Sequence, residues 1–138
     1  MDVETDRAFV DTNVLVYLLG RDREKGARAE AVLREPVTIN VQVLNELVNV
    51  ARRKTTRSWD EIDGFVDALC RLDTVRVRAL TKAVHDRGRG LARRHGLSVY
   101  DAMIVSAALE AGCSTLLTED MHAGLVVDGS LTLTNPFA

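Results

Sequence analysis

Close to the start of the chain the run Phe9 to Leu19, FVDTNVLVYLL, is apolar except for Asp11, Thr12, Asn13 and the phenol of Tyr17. Residues 8–10, AFV, read as a short buried strand that stops at Asp11, and NVLVYLLG reads as a helix ended by Gly20. A strand-to-helix switch therefore falls on a carboxylate. REKGARAEAVLRE predicts a second helix with Ala27, Ala31 and Val32 as its apolar stripe, halted by Pro36. VTIN then predicts a strand and VQVLNELVNVARRK a third helix. In SWDEIDGFVDALCRL, Ser58 and Glu61 have capping-box spacing, and Ile62, Phe65, Val66 and Leu69 share one face. TVRVRAL alternates as a strand does, and TKAVHDRGRGLARRHG is helical despite two glycines, ending at Gly96. The mostly apolar helix SVYDAMIVSAALEAG is closed by Gly112. The strand STLLT, the loop EDMHAG and a last strand LTLTN before Pro136 complete the series.

Short strands alternating with helices imply right-handed crossovers and a largely parallel sheet covered on both faces. The expected fold is α/β, a three-layer α/β/α sandwich. No repeat, low-complexity segment or linker interrupts it, so residues 1–138 are expected to form a single domain. In such sheets ligands bind outside the carboxyl ends of the strands. Asp11 follows the first strand and the Glu119-Asp120 pair follows STLLT, which puts these acids on one edge.

Composition narrows the function classes. With 46% hydrophobic and 28% charged residues the chain is that of an ordinary globular protein, and 4% aromatic residues argue against a base-stacking platform. No apolar run approaches the roughly 20 residues that span a bilayer. The acidic opening MDVETDRA is unlike a secretory signal, so a cytoplasmic location is expected. Cys70 and Cys113, far apart and without a CxxC spacing, are expected to be reduced, small and buried; the scattered His85, His95 and His122 do not suggest zinc. A net charge of −2 does not by itself announce a nucleic-acid binder. Basic residues nonetheless cluster in ARRKTTR (Arg52, Arg53, Lys54, Arg57) and HDRGRGLARRHG (Arg87, Arg89, Arg93, Arg94), which read equally as solvated helix faces or as a phosphate-binding rim; Arg52, Arg53, Arg93 and Arg94 are candidate contacts for a nucleic-acid backbone.

Each candidate acid has an ordinary structural use. Asp11 suits an N-cap, Glu46 belongs to the polar face of its helix with Gln42, Asn45, Asn49 and Arg53, Asp101 has capping spacing from Ser98, and Asp120 suits a turn. The set is more informative than its members. Two carboxylates about 4 Å apart repel by roughly 4 kcal/mol at an effective dielectric of about 20. Four converging acids would take up protons or require a cation, and hard oxygen ligands select Mg²⁺ or Mn²⁺. The chemistry expected is metal-assisted phosphoester cleavage.

The order Asp11 in FVDTNVLVYLL, Glu46 in VQVLNELVNV, Asp101 in SVYDAMIVSAAL and Asp120 in LLTEDM resembles the PIN-domain nucleases, and in length and pattern it looks most like the VapC-type toxins of toxin–antitoxin pairs. The resemblance runs from Phe9 to the LTLTNPF tail. It implies an endoribonuclease with Asp11 and Asp101 as principal ligands of Mg²⁺ or Mn²⁺, Glu46 and Asp120 completing the pocket, and Asn13 and Thr118 as supporting polar residues. It also implies a homodimer and a cognate antitoxin lying in an apolar groove, for which Leu15, Leu18 and Leu19 are candidate surface. Glu119 and Asp120 are adjacent, and only one is required to point inward.

Rival readings fit less well. A haloacid-dehalogenase-type phosphatase wants a second acid two residues after the first, where this chain has Asn13; a receiver domain wants an acceptor aspartate ending its third strand, which TVRVRAL lacks. A catalytically silent PIN-like module that binds RNA or an antitoxin is the alternative of a different class, although concentrated negative charge contributes nothing to holding phosphates.

Overall fold

The computed structural model describes residues 7–138; the acidic opening before Arg7 lies outside the described residues. Strands β1 (Ala8–Val10), β2 (Val37–Asn40), β3 (Val75–Arg78), β4 (Thr115–Leu117), β5 (Val126–Val127) and β6 (Leu131–Thr134) form one sheet in the order β3-β2-β1-β4-β6-β5. All neighbours are parallel except β5 and β6. The helices are α1 (Thr12–Leu15), α2 (Arg23–Val32), α3 (Val41–Lys54), α4 (Trp59–Arg71), α5 (Lys82–His95) and α6 (Val99–Glu110). Every residue of β2 is buried, as a parallel strand covered on both faces must be. The α/β sandwich and its mostly parallel central sheet are thus as the alternating pattern predicts.

The core gathers Phe9, Leu15, Ile39, Leu47, Leu91, Ile104, Leu116 and Leu133, each essentially inaccessible to solvent. Helix α6 is buried through its middle, at every residue from Ala102 to Ala108, which is why that stretch of sequence shows no polar face. It lies against α5 at Gly88, where an added Cβ would stand 2.6 Å from Met103 Sδ. That close approach explains a glycine inside an otherwise regular helix.

Several expectations need correction. The first helix does not run to Gly20; α1 is a single turn that tightens into a 3-10 turn over Val16–Leu18, with Leu19 N–H donating to Val16 O at 3.0 Å. The buried face of α2 centres on Ala29, with Val32 and Leu33 half-buried, whereas Ala27 and Ala31 are exposed. Alanine is too small for its spacing to identify the inner side. Cys70 is exposed on α4, one position past the buried Leu69, while Cys113 is buried; neither is bridged. The short β5 has no counterpart in the sequence reading. It pairs with β6 through a turn in which Asp128 (φ 52°) and Gly129 (φ 69°) both take left-handed backbone.

Candidate active site

Asp11 is the first residue after β1. Its backbone is extended (φ −75°, ψ 155°), and its Oδ1 accepts from Thr12 N–H at 2.7 Å, so it is indeed the N-cap of α1. The cap uses one oxygen. Oδ2 accepts from the Thr118 hydroxyl at 2.9 Å, just past the end of β4. Asn13 completes the arrangement: its Nδ2 donates to Thr118 Oγ1 at 3.2 Å and its Oδ1 accepts from Glu119 N–H at 3.0 Å. The neighbouring strands β1 and β4 are therefore clamped together at their carboxyl ends by side chains as well as by the ladder.

Glu46 arrives from α3, whose start is fixed by Asn40 Oδ1 accepting from Val43 N–H at 3.1 Å. Its carboxylate is held by the Thr12 hydroxyl at 2.8 Å and by Gln42 Nε2 at 3.0 Å, one turn earlier on the helix. Thr12 thus tends two acids, giving its amide to Asp11 and its hydroxyl to Glu46. Asp101 stands in the first turn of α6; Ser98 Oγ accepts its amide at 3.2 Å, and its half-buried carboxylate makes no return bond. The capping role therefore leaves the carboxylate available.

These groups line one cleft of about 430 Å³, to which Asp11, Thr12, Asn13, Glu46, Asp101 and Asp120 all contribute. Asp11 is only 6% exposed, and burial pushes its carboxyl up to about 6. The Thr118 hydroxyl and Thr12 amide oppose that rise, and the negative charges of Glu46 and Asp101 add to it. The cleft holds more negative charge than it can neutralise by itself.

The Glu119-Asp120 pair divides. Both Glu119 oxygens are engaged: the Tyr17 hydroxyl donates to Oε1, and Lys25 Nζ donates to Oε2 at 2.5 Å. Burial would raise the Glu119 carboxyl, but the bonds from Lys25 and Tyr17 outweigh it and hold the group below its ordinary range. Asp120 is exposed and has no such partner among the described residues.

The donor set is all oxygen, and each carboxylate keeps lone pairs beyond those its hydrogen bonds use, which suits a hard divalent cation. Among the described residues no group of three His, Cys, Asp or Glu side chains converges on a single point. That spread matches an ion held directly by one or two carboxylates and otherwise through water, the usual habit of Mg²⁺.

The proposed backbone cations lie elsewhere. Arg52 stacks over the Trp59 ring at 4.6 Å and Arg94 pairs with Asp128 at 3.5 Å; neither of them, nor Arg53 or Arg93, lines the cleft. Leu15 and Leu19 are buried in the core, so of the proposed groove trio only Leu18 keeps appreciable surface. Little in the sequence pointed to Thr12, whose only signal was its place between Asp11 and Asn13, and nothing to a role for Tyr17 or Lys25; Lys54 stood out only as part of the basic ARRKTTR cluster.

Among known proteins, the PIN domain family matches residues 8–123. No curated protein matches the chain. Solved structures share its fold across almost its whole length. A toxin-antitoxin complex from Klebsiella pneumoniae has a chain 20% identical, covering 94% of this chain and 97% of its own, with a TM-score of 0.69. VapC20 of Mycobacterium tuberculosis, described as a Sarcin-Ricin loop cleaving toxin, is 20% identical over 79% of this chain and 86% of its own, with a TM-score of 0.63. DNA-bound VapBC from Salmonella typhimurium is 15% identical, covers 95% and 98%, and has a TM-score of 0.67.

Proposed function

The chain belongs to the PIN-domain family, and from that premise we propose that it is a Mg²⁺- or Mn²⁺-dependent endoribonuclease, the toxin of a toxin–antitoxin pair. One observation carries this reading: Asp11, Glu46, Asp101 and Asp120, from four separate segments, line one cleft at the carboxyl edge of the sheet. The Klebsiella pneumoniae neighbour, described as a toxin-antitoxin complex, supports the antitoxin partner, and VapC20, described as a Sarcin-Ricin loop cleaving toxin, supports RNA as substrate. A homodimer accords with the same reading.

Asp11 and Asp101 would hold the ion most directly, with Glu46 and Asp120 completing its surroundings. When bound, such an ion lowers the pKa of water and offsets the charge that builds on a phosphate under attack. The chain's own residues set the geometry. Thr118 and the Thr12 amide fix the Asp11 carboxylate, while Thr12 and Gln42 fix that of Glu46. Asn13 keeps the Thr118 hydroxyl oriented by occupying its lone pair, leaving its proton for Asp11. None of these groups needs to act as a nucleophile.

The test is to incubate purified protein with total cellular RNA in Mg²⁺, Mn²⁺ or chelator and map new 5′ ends beside an Asp101→Asn variant. Discrete metal-dependent cuts absent from the variant are expected. Folded, antitoxin-free protein that cuts nothing in any condition would favour a silent RNA- or antitoxin-binding module.

A further inference from the structure

The acidic cleft opens into a second, larger space. A trough of about 650 Å³ shares Val16, Tyr17, Val50 and Lys54 with the cleft, and it continues past Arg21 to Arg57. The two differ in charge. Four acids and Glu119 line the cleft, whereas the ionisable residues of the trough are Arg21, Lys54, Arg57 and the shared Tyr17.

Lys54 stands at the junction. It is the only cation among the described residues that line the cleft, it is exposed, and no acid among the described residues pairs with it. Lys25, the other nearby ammonium, is already tied to Glu119. Lys54 is the last residue of α3, where the helix dipole favours a positive charge, and the extended stretch after it leads to Arg57. Arg57 is half-buried and anchored, its Nη1 donating to Leu19 O at 3.0 Å, so its remaining N–H donors are presented from a fixed position.

A polyanion entering a cleft lined by carboxylates is repelled unless cations on the rim hold the flanking phosphates. We propose that the trough is the path of the RNA strand on one side of the scissile bond, with Lys54 and Arg57 binding successive backbone phosphates and Arg21 flanking them. This rests on the nuclease reading of the cleft and adds to it the direction from which the strand arrives. The scarcity of aromatic side chains fits a path that grips the backbone and leaves the bases largely unread.

The test separates binding from cleavage. Affinity for a short fluorescein-labelled single-stranded RNA is measured in chelator, in an Asp101→Asn background, across a series of salt concentrations. Lys54→Ala and Arg57→Ala are each expected to weaken binding several-fold and to reduce the slope of log K against log salt by about 0.7, the value of one single-strand phosphate contact. Lys54→Arg should restore the slope. A slope unchanged by both alanine variants, or lowered instead by Arg93→Ala and Arg94→Ala, overturns the proposal, as does an absence of RNA binding at every salt concentration. Variants that keep RNA affinity but lose an acidic, leucine-rich labelled peptide would make the trough a peptide groove and overturn it too. Because no cutting is read, a chain that binds through the trough yet never cleaves would refute the nuclease reading alone.

Discussion

The Thr118 hydroxyl donates to Asp11 Oδ2 at 2.9 Å, joining residues that stand 107 positions apart in the chain. The bond holds the carboxylate still and stabilises its charged form against burial.

Thr118→Val keeps the shape of the side chain and removes that bond, and it also strips Asn13 Nδ2 of its acceptor. A stability loss of about 1–3 kcal/mol is expected, with cleavage lowered about 10- to 100-fold. Because the lost bond had lowered the Asp11 pKa, the acidic limb of the rate–pH profile should move to higher pH. Thr118→Ser should restore the wild-type profile. A profile that keeps its shape in the valine variant would show that Thr118 does not act through Asp11.

Asp11 itself makes stability depend on pH. Its carboxyl is raised from 3.8 to about 6 on folding, so the native state holds this proton more tightly than the unfolded chain does. The associated stability is fully present below about 4 and is lost as pH rises through about 6; near neutrality the charged carboxylate then costs on the order of 3 kcal/mol. Asn is as good an N-cap as Asp. Asp11→Asn is therefore expected to raise the melting temperature in chelator at pH 7.5 by on the order of 10 °C, and to change it little at pH 4. Mg²⁺ or Mn²⁺ should stabilise the wild type at pH 7.5 and not the variant. Calorimetry across this pH range, with and without the ion, decides the matter.

Glu119 and Asp120 should separate in the same assay. Glu119 is engaged by Tyr17 and Lys25, whereas Asp120 is unpaired among the described residues. Asp120→Asn is expected to lower metal-dependent cleavage by about 10- to 100-fold, as loss of a supporting carboxylate does. Glu119→Gln should reduce it less and act through the position of Tyr17. Comparing the metal concentration needed for half-maximal cleavage exposes the difference: only the Asp120 variant should need more. An equal shift in both would mean that the acids act together.

Two glycines on α5 should respond with opposite signs. An alanine Cβ at Gly88 meets Met103 Sδ at 2.6 Å and Met103 Cε at 3.0 Å, so the buried Met103 side chain has to move and Gly88→Ala should destabilise by about 1–3 kcal/mol. At Gly90 the nearest group is the mobile end of Arg94 at 3.6 Å, and Gly90→Ala should gain about 0.5–1 kcal/mol from helix propensity. Urea denaturation of both variants measures the pair directly.

The sequence made the frame legible because its main elements are long or strongly patterned. Buried parallel strands leave apolar runs, α4 announces itself by a capping box that the structure contains, and α5 ends at Gly96 in the left-handed conformation that glycine allows. Smaller features carried too little signal. Strand β5 has two residues, too few for any period; the Asp128-Gly129 turn was the available cue. The inner side of α2 was misread because alanine spacing does not identify a face. In the candidate site the carboxylates could be read from their placement after strands and within helices. Thr12 and Lys25 could not, since a hydroxyl or an ammonium gains its role from what lies across the cleft, and Lys54 was legible only as one member of the basic ARRKTTR cluster.

The clamp between β1 and β4 has a consequence for the life of the chain. Asp11 is synthesised 107 residues before Thr118, which fixes it, and β4 is itself flanked by the still later β6 at Leu131–Thr134. A nascent chain that has not yet reached β4 and β6 has an aspartate but no assembled cleft. For a proposed RNA-cutting enzyme this order of synthesis would work as a safety catch: competence would arrive only after β4 and β6 have been made, so the ribosome would not be exposed to a half-made nuclease.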